Sequence, residues 1–91
     1  MAENPIDQER MAALLTEIHL VEGAIAPMLI QGDSAIQYIQ NNYEYLFVKY
    51  KTNRSEFKAS VQYYVQHPKQ LDRMYEKIIE NLNKMQSQIQ N

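Results

Sequence analysis

Cysteine and tryptophan are absent from this sequence of 91 residues, which also has only two glycines, three prolines and two histidines. Without cysteine the chain has no disulfide, no thiolate nucleophile and no cysteine-ligated zinc or iron–sulfur site. Two histidines are too few for a three-histidine catalytic metal site, and two glycines leave almost nothing for a glycine-rich phosphate-binding loop. A chain of this length builds only a thin hydrophobic core. We therefore expect one small domain over residues 1–91, without a cofactor or a metal.

Charge and hydropathy exclude two further classes of protein. Eleven acidic and nine basic residues give a net charge of −2, so the chain has no overall basic surface for nucleic acid or anionic lipid. The longest apolar run, residues 24–30, contains a proline and is far shorter than the roughly 20 residues that a membrane-spanning helix needs. The first residues lack the basic and apolar regions of a signal peptide. The sequence as written predicts a soluble chain without an export signal.

Helical periodicity dominates what is present. Apolar residues recur every three or four positions, and no segment alternates with period two for long enough to form a strand. The pattern predicts an all-α fold, a compact four-helix arrangement with long first and last helices, two shorter middle helices and no sheet. The helices are expected at about residues 5–30, 35–51, 54–66 and 68–87. The predicted core residues are Met11, Leu14, Ile18, Val21, Ile25 and Met28 in the first helix, Ile36, Ile39, Tyr43, Phe47 and Tyr50 in the second (with Leu46 at the edge), Phe57, Val61 and Tyr64 in the third, and Leu71, Tyr75, Ile78, Leu82, Met85 and Ile89 in the fourth.

Capping residues predict where the helices begin and end. Asn4, Ser34 and Asn53 are typical N-caps for the first three helices, and Pro68 suits the first position of the fourth. Pro27 is expected to kink or end the first helix. The core residues of the fourth helix have the spacing of a heptad seam, which is also the pattern of helices that pair between two chains.

The two halves of the chain carry opposite charge. Residues 1–48 have seven acids and one base, a net charge of −6, whereas residues 49–91 have eight bases and four acids, a net charge of +4. The favoured interpretation is that the first and last helices lie antiparallel and attract each other weakly across solvent. The alternative is a dipolar surface that docks a charged partner.

Glu22 is the unexpected residue of the first helix. It projects within about 50° of the centre of the apolar stripe, so it is expected to be at least half-buried and to need a hydrogen-bond donor. Tyrosine hydroxyls and Arg54 are the candidate donors, and His19 lies one turn away, so we predict a buried polar network of His19 and Glu22. A metal site in a helical bundle needs Glu-x-x-His pairs from two helices, and a general acid needs a second positioned group. Neither is present, so no catalytic residue and no enzyme is expected.

The seven tyrosines are the most informative residue type. Tyr38 and Tyr45 project opposite the core face of the second helix, and Tyr63 points away from its neighbouring core residues. Exposed tyrosines are enriched at binding surfaces, although a helix in a small bundle is sometimes covered on two sides. The two interpretations, a partner surface and a second packed face, stay open. The basic residues Lys49, Lys51, Arg54 and Lys58 are expected to form a rim around the three tyrosines, too small for nucleic acid.

Several short motifs occur in an order that resembles a known family. They are MAALLTEIHLVE at residues 11–22, YLFVKY at 45–50, SEF at 55–57, SVQYY at 60–64, HP at 67–68 and LDRMYEKII at 71–79, within the final helix. Together they resemble an uncharacterised, all-helical Bacteroidetes lipoprotein family, a domain of unknown function, over about residues 5–85. The positions that match its pattern are Pro5, Leu15, His19, Glu22, Lys49, Tyr50, Phe57, Ser60, Tyr63, Tyr64, His67, Pro68, Tyr75 and Leu82.

The resemblance implies a location rather than a chemistry. It implies a leader and a lipidated cysteine ahead of the domain, and a place in the cell envelope. It implies no activity. Our leading expectation is a non-catalytic protein-interaction domain, the soluble part of a cell-envelope lipoprotein, which meets the membrane only through a lipid anchor that this chain does not contain. The alternatives are a cytoplasmic helical adaptor, a homodimer that pairs through the seam of the fourth helix, and a small enzyme or ligand carrier that uses Glu22 and His19.

Overall fold

The computed structural model describes residues 5–23 and 32–90, with side chains to residue 87. These residues form five α-helices and no strand, so the chain is all-α as predicted, but the count of four helices is wrong. The helices are α1 (Gln8–Glu22), α2 (Asp33–Asn42), α3 (Glu44–Lys49), α4 (Arg54–Val65) and α5 (Pro68–Gln90). None of them is long and apolar enough to cross a membrane.

The first helix is shorter than predicted at its carboxyl end. It ends at Glu22 because Gly23 adopts the left-handed conformation, with a φ of 84°, and donates its backbone N–H to the His19 carbonyl. Asp7 is the N-cap, and its side chain accepts the backbone N–H of Arg10. Arg10 also donates its Nε to Asp7 at 2.7 Å, and these contacts lower the pKa of the Asp7 carboxyl. The predicted cap Asn4, the predicted breaker Pro27 and the predicted core residues Ile25 and Met28 lie outside the described residues, as does the side chain of Ile89.

The predicted second helix is two helices that meet at Tyr43. At this residue φ is −124° and ψ is 26°, so the helical conformation is interrupted while the backbone N–H still bonds to the Ile39 carbonyl. Tyr43 is only 4% exposed. The helix does not begin with the predicted Ser34 capping box. Gly32, with a φ of 65°, stands at the N-cap, and no side chain caps the first turn.

The last two helices agree with the predicted boundaries at their amino ends. Asn53 caps α4 by accepting the backbone N–H of Glu56 at 2.8 Å, as its spacing indicated. Pro68 is the first residue of α5, where its missing N–H costs no hydrogen bond. Because α5 extends to Gln90, it is slightly longer than expected.

The core confirms most of the predicted apolar stripes. Every predicted core residue of α2, α3 and α4 is buried except Tyr50, which is half-buried and packs against the core. In α1, Val21 is 64% exposed because the helix ends one residue after it. In α5, Ile78 is buried, whereas Met85 is exposed. Leu71, Tyr75 and Leu82 pack against the core of the same chain, so this part of the seam is occupied within the chain.

An extended segment before α1 closes one end of the core. Ile6 is 1% exposed, and its backbone N–H donates to Ser60 Oγ at 2.8 Å. The Tyr64 hydroxyl donates to the Ile6 carbonyl at 2.6 Å. Both polar groups of the Ile6 backbone are therefore satisfied by α4 side chains, which makes burial of this residue favourable.

The first and last helices form the most extensive contact between helices, but they are not antiparallel as predicted. Glu9 pairs with Lys77 at 3.9 Å, and Thr16 accepts a hydrogen bond from Asn81 at 3.3 Å. Residue numbers rise together along both helices, so α1 and α5 run in the same direction. Attraction between opposite charges operates in either orientation, and the charge pattern therefore did not determine the direction.

Candidate functional site

Five exposed apolar side chains lie at the carboxyl end of α1 and on the neighbouring helices α2 and α3. Their exposed fractions range from 49% for Tyr38 to 74% for Val48. A contiguous apolar patch marks a binding surface more often than scattered residues do. Tyr38 binds the same Glu22 oxygen as Tyr43, and the ring of Tyr43 is 6.2 Å from that of Tyr45, so Tyr38 and Tyr45 lie close together. We call these residues the tyrosine face: Leu20, Val21, Tyr38, Tyr45 and Val48.

Helix α3 is held against α1 in a fixed register. The Lys49 ammonium donates to Glu17 Oε1 at 2.8 Å, and Arg10 donates to the Tyr50 carbonyl at 2.9 Å. Both contacts join α1 to the carboxyl end of α3, at Lys49 and Tyr50. On their own helices Tyr45 lies one turn before Lys49, and Val21 lies one turn after Glu17.

The inner and outer sides of α3 differ sharply in environment. Leu46 and Phe47 are buried, and the rings of Phe47 and Phe57 pack against each other with centroids 4.9 Å apart. Tyr45 and Val48 project to the opposite side, are 62% and 74% exposed, and share that side with the exposed charged residues Glu44 and Lys49. Two large apolar side chains flanked by charged ones have the mixed composition of a contact surface.

Glu22 connects α1 to the tyrosines. The Tyr38 hydroxyl donates to Glu22 Oε2 at 3.1 Å, and the Tyr43 hydroxyl donates to the same oxygen. The predicted tyrosine donors are thus present, but Arg54 is not one of them. Glu22 is exposed rather than half-buried, because it is the last residue of α1 instead of an interior one.

These contacts raise the pKa of both tyrosines. Burial and the Glu22 carboxylate raise the pKa of Tyr43 well above its usual value of 10. The hydrogen bond to Glu22 raises the pKa of Tyr38. The rings of Tyr43 and Tyr45 are 6.2 Å apart. Three tyrosines and one carboxylate therefore converge at the end of α1.

His19 does not join this group. It is half-buried, and among the described residues its side chain makes no hydrogen bond with Glu22. The predicted buried network of His19 and Glu22 is therefore corrected to an exposed cluster of Glu22 with Tyr38 and Tyr43.

The predicted basic rim is spread over the surface, and half of it is neutralised. Lys49 pairs with Glu17, and Arg54 pairs with Glu44 at 3.3 Å and with Asn41 at 3.2 Å. Lys51 has a φ of 58°, and its carbonyl accepts from Arg10 at 3.3 Å. Arg54 and Lys58 line a groove between α2 and α4 together with Asp33 and Gln37. Lys49 lies one turn from Tyr45 on α3, so the four basic residues do not form a single rim around the tyrosines.

Tyr63 lies apart from the other two predicted tyrosines. Its ring stacks on His67 with centroids 3.9 Å apart and meets Tyr64 edge to face at 5.2 Å. The Tyr63 hydroxyl accepts from Gln70 at 2.8 Å. It is half-buried at the junction of α4 and α5, so for this residue the interpretation as a second packed face is the correct one.

Sequence reasoning missed the environment of Glu17. Burial raises its pKa, but contacts from Lys49 and Tyr50 outweigh burial, so the pKa is lowered overall. One oxygen binds Lys49, whereas Oε2 is buried and meets no donor with hydrogen-bond geometry among the described residues. Burial and the nearby carboxylate raise the pKa of Tyr50 to about 12. The position of Glu17 relative to the apolar stripe did not predict its contacts with Lys49 and Tyr50.

Comparison with known proteins identifies the family. No curated protein and no solved structure shows significant similarity to the chain. A family model described as "Domain of unknown function (DUF4296)" matches residues 3–88, which is nearly the whole sequence. The chain therefore belongs to the DUF4296 family, whose function is not known.

Proposed function

We propose that this chain is a non-catalytic protein-interaction domain that binds its partner through the tyrosine face. The observation that carries the proposal is the outer side of α3, where Tyr45 and Val48 are exposed on a helix whose inner side is already buried in the core. Tyrosine supplies a large contact area at low cost in rotamer entropy and is enriched among residues that dominate binding energy.

Preorganisation adds to the support. Tyr38 is held by its hydrogen bond to Glu22, and α3 is held by the ion pair between Lys49 and Glu17. Side chains that are ordered before binding lose less entropy when a partner arrives. The tyrosine face therefore combines exposed apolar area with a fixed geometry, which favours a specific contact.

Site-specific photocrosslinking in the native cells tests the proposal. A benzophenone amino acid replaces Tyr45 in one variant and Gln62, which is exposed on α4, in the matched control. We expect one defined protein to crosslink to position 45 and not to position 62, and its crosslink to weaken when Tyr38→Ala is added. Equal crosslinking from both positions, or unchanged crosslinking after Tyr38→Ala in a folded protein, would contradict the proposal.

We also propose that the domain belongs to a cell-envelope lipoprotein. The support is the resemblance of its ordered motifs to a lipoprotein family. Mass spectrometry of the N-terminus of the native protein, with membrane and soluble fractions kept apart, tests this location. A diacylated cysteine ahead of Glu3 in the membrane fraction is the expected result. An unmodified Met1 or Ala2 in the soluble fraction would contradict it and favour a cytoplasmic adaptor.

A further inference from the structure

We infer that Glu22, Tyr38, Tyr43 and Tyr45 form a binding site for a cationic side chain, and that its ligand is an arginine of the protein partner. The inference rests on the proposed function, because it specifies which chemistry of the partner the tyrosine face recognises. We refer to these four residues as the cation site.

The carboxylate of Glu22 has unused capacity. Its Oε2 accepts both tyrosine hydroxyls, while Oε1 accepts no hydrogen bond from the described residues. A carboxylate offers about four lone-pair positions, and a guanidinium donates to it in a two-pronged arrangement. Within residues 5–23 and 32–87 the ion pairs involve other acids, namely Asp7, Glu9, Glu17 and Glu44. Glu22 thus offers an exposed negative charge without a basic partner in that part of the chain.

The backbone of α1 adds to this negative charge. Glu22 is the last residue of the helix, where the carbonyl groups form the negative end of the helix dipole. A cation placed near this end is stabilised, and the effect falls off within the last turn. The carboxylate and the dipole therefore favour the same ligand at the same place.

The tyrosine rings select the kind of cation. Tyr38 and Tyr45 are 49% and 62% exposed, and the rings of Tyr43 and Tyr45 are 6.2 Å apart at an interplanar angle of 45°. A cation within about 6 Å of an aromatic centroid is attracted to the ring face. Arginine stacks its planar guanidinium on such a face and is more weakly hydrated than lysine. The cation site therefore matches arginine better than lysine.

The ion pairs of the neighbouring helices agree with this choice. Lys49 and Arg54, two of the basic residues predicted to flank the tyrosines, pair with acids of the same chain. Glu22 has no such basic partner among the described residues, so charge complementarity attracts a basic partner to it rather than an acidic one.

Titration of the whole chain, labelled with ¹³C in its tyrosine rings, tests the site directly by NMR. The probes are N-acetyl-arginine amide and N-acetyl-citrulline amide, which have nearly the same shape but differ in charge. We expect the ring signals of Tyr38 and Tyr45 to shift in a saturable way with the arginine probe. A third probe, N-acetyl-lysine amide, should bind more weakly, and the citrulline probe should cause no shift. An equal response to citrulline, no response to arginine at about 50 mM, or tetramethylammonium binding as tight as arginine binding would overturn the assignment.

Two matched variants test whether arginine binding requires the negative charge of Glu22 itself or only the net negative charge of the molecule. Glu22→Gln keeps an oxygen that accepts the tyrosine hydroxyls and is expected to weaken arginine binding about tenfold, in line with the loss of a charge-assisted hydrogen bond. Glu44→Gln removes the same charge from an exposed residue of α3 and is expected to change binding less than about twofold. Equal effects of the two substitutions would overturn the site.

The outcomes also distinguish this inference from the proposed function. A partner that crosslinks at position 45, together with no arginine response, would overturn the cation site while the interaction function stands. A normal arginine response without any specific crosslink would overturn the proposed interaction and, with it, the assignment of the ligand to a protein partner.

Discussion

The Tyr43 hydroxyl donates a hydrogen bond to the carboxylate of Glu22, which ties the last residue of α1 to the junction between α2 and α3. The ring of Tyr43 is buried at this junction, while the carboxylate that it binds remains exposed. One contact therefore joins the core of the molecule to the tyrosine face.

The two tyrosines bound to Glu22 are expected to differ in their effect on stability. Tyr43→Phe removes a part-buried hydrogen bond to a charged group and should lower the free energy of unfolding by about 1–2 kcal/mol. Tyr38→Phe removes an exposed one and should cost less than about 1 kcal/mol. Urea unfolding monitored by circular dichroism measures both. A larger loss for Tyr38→Phe would contradict the account of this junction.

The buried bond between Ile6 and Ser60 gives a prediction for the opposite end of the core. Ser60→Ala leaves the Ile6 N–H without its acceptor and should lower the free energy of unfolding by about 1–3 kcal/mol. Ser87→Ala, at an exposed position of α5, is the matched control and should change it by less than about 0.5 kcal/mol. Thermal unfolding of the two variants side by side provides the measurement, and equal midpoints would show that the bond contributes nothing.

Acid should weaken the contact between α1 and α3. The pKa of Glu17 is lowered in the folded chain, so its contribution to stability is present above the unfolded value of 4.5 and is lost as the pH falls through the folded pKa. Glu17→Gln should therefore lose less stability than the wild type between pH 5 and about pH 3. Urea midpoints measured across this range check the prediction, and parallel curves for the two proteins would contradict it.

A rise in pH above 10 should destabilise the folded chain through ionisation of Tyr50. Its pKa is raised to about 12 in the folded chain, so its contribution is fully present below the ordinary value of 10 and is lost as the pH rises toward 12. Tyr50→Phe should reduce the loss of stability over that interval. Ultraviolet absorbance of tyrosinate, recorded with circular dichroism during the titration, is the measurement. Ionisation of all seven tyrosines near pH 10 in the folded protein would contradict the prediction.

The fourth predicted helix bears on self-association. Tyr75 and Leu82 of the heptad seam pack against the core of their own chain, so that part of the seam is not available to a second copy. We expect light scattering to show a monomer at tens of micromolar. A dimer that Met85→Glu leaves intact would place an interface elsewhere, whereas a dimer abolished by Met85→Glu would show that the exposed end of the seam pairs between chains.

The core was predictable where apolar residues recur at helical spacing. Phe57, Val61 and Tyr64 follow that spacing along α4, and all three are buried. The end of α1 was not predicted, because the apolar pattern continues past Gly23 although the left-handed conformation of that glycine stops the helix. The break at Tyr43 was missed because this residue fits the apolar stripe on both sides, and no glycine or proline marks the interruption.

The candidate site was predictable only in part, for a related reason. Tyr38 and Tyr45 project opposite the core face of their helices, and this alone predicts their exposure. The partners of Lys49 and Arg54 depend on how the helices are placed next to one another, which a charge count does not determine. The stacking of Tyr63 on His67 depends on the turn between α4 and α5 and is invisible in helical spacing.

The affinity of the crosslinked partner for paired surface variants tests the central claim most directly. Tyr45→Ala/Val48→Ala removes the outer side of α3, and Val65→Ala/Ile79→Ala removes exposed apolar area on α4 and α5 as the control. The account predicts that the first pair raises the Kd at least about tenfold, as truncation of central contact residues does, with the fold retained. A Kd unchanged by the first pair, or raised equally by the control pair, would contradict the claim that the tyrosine face is the binding surface.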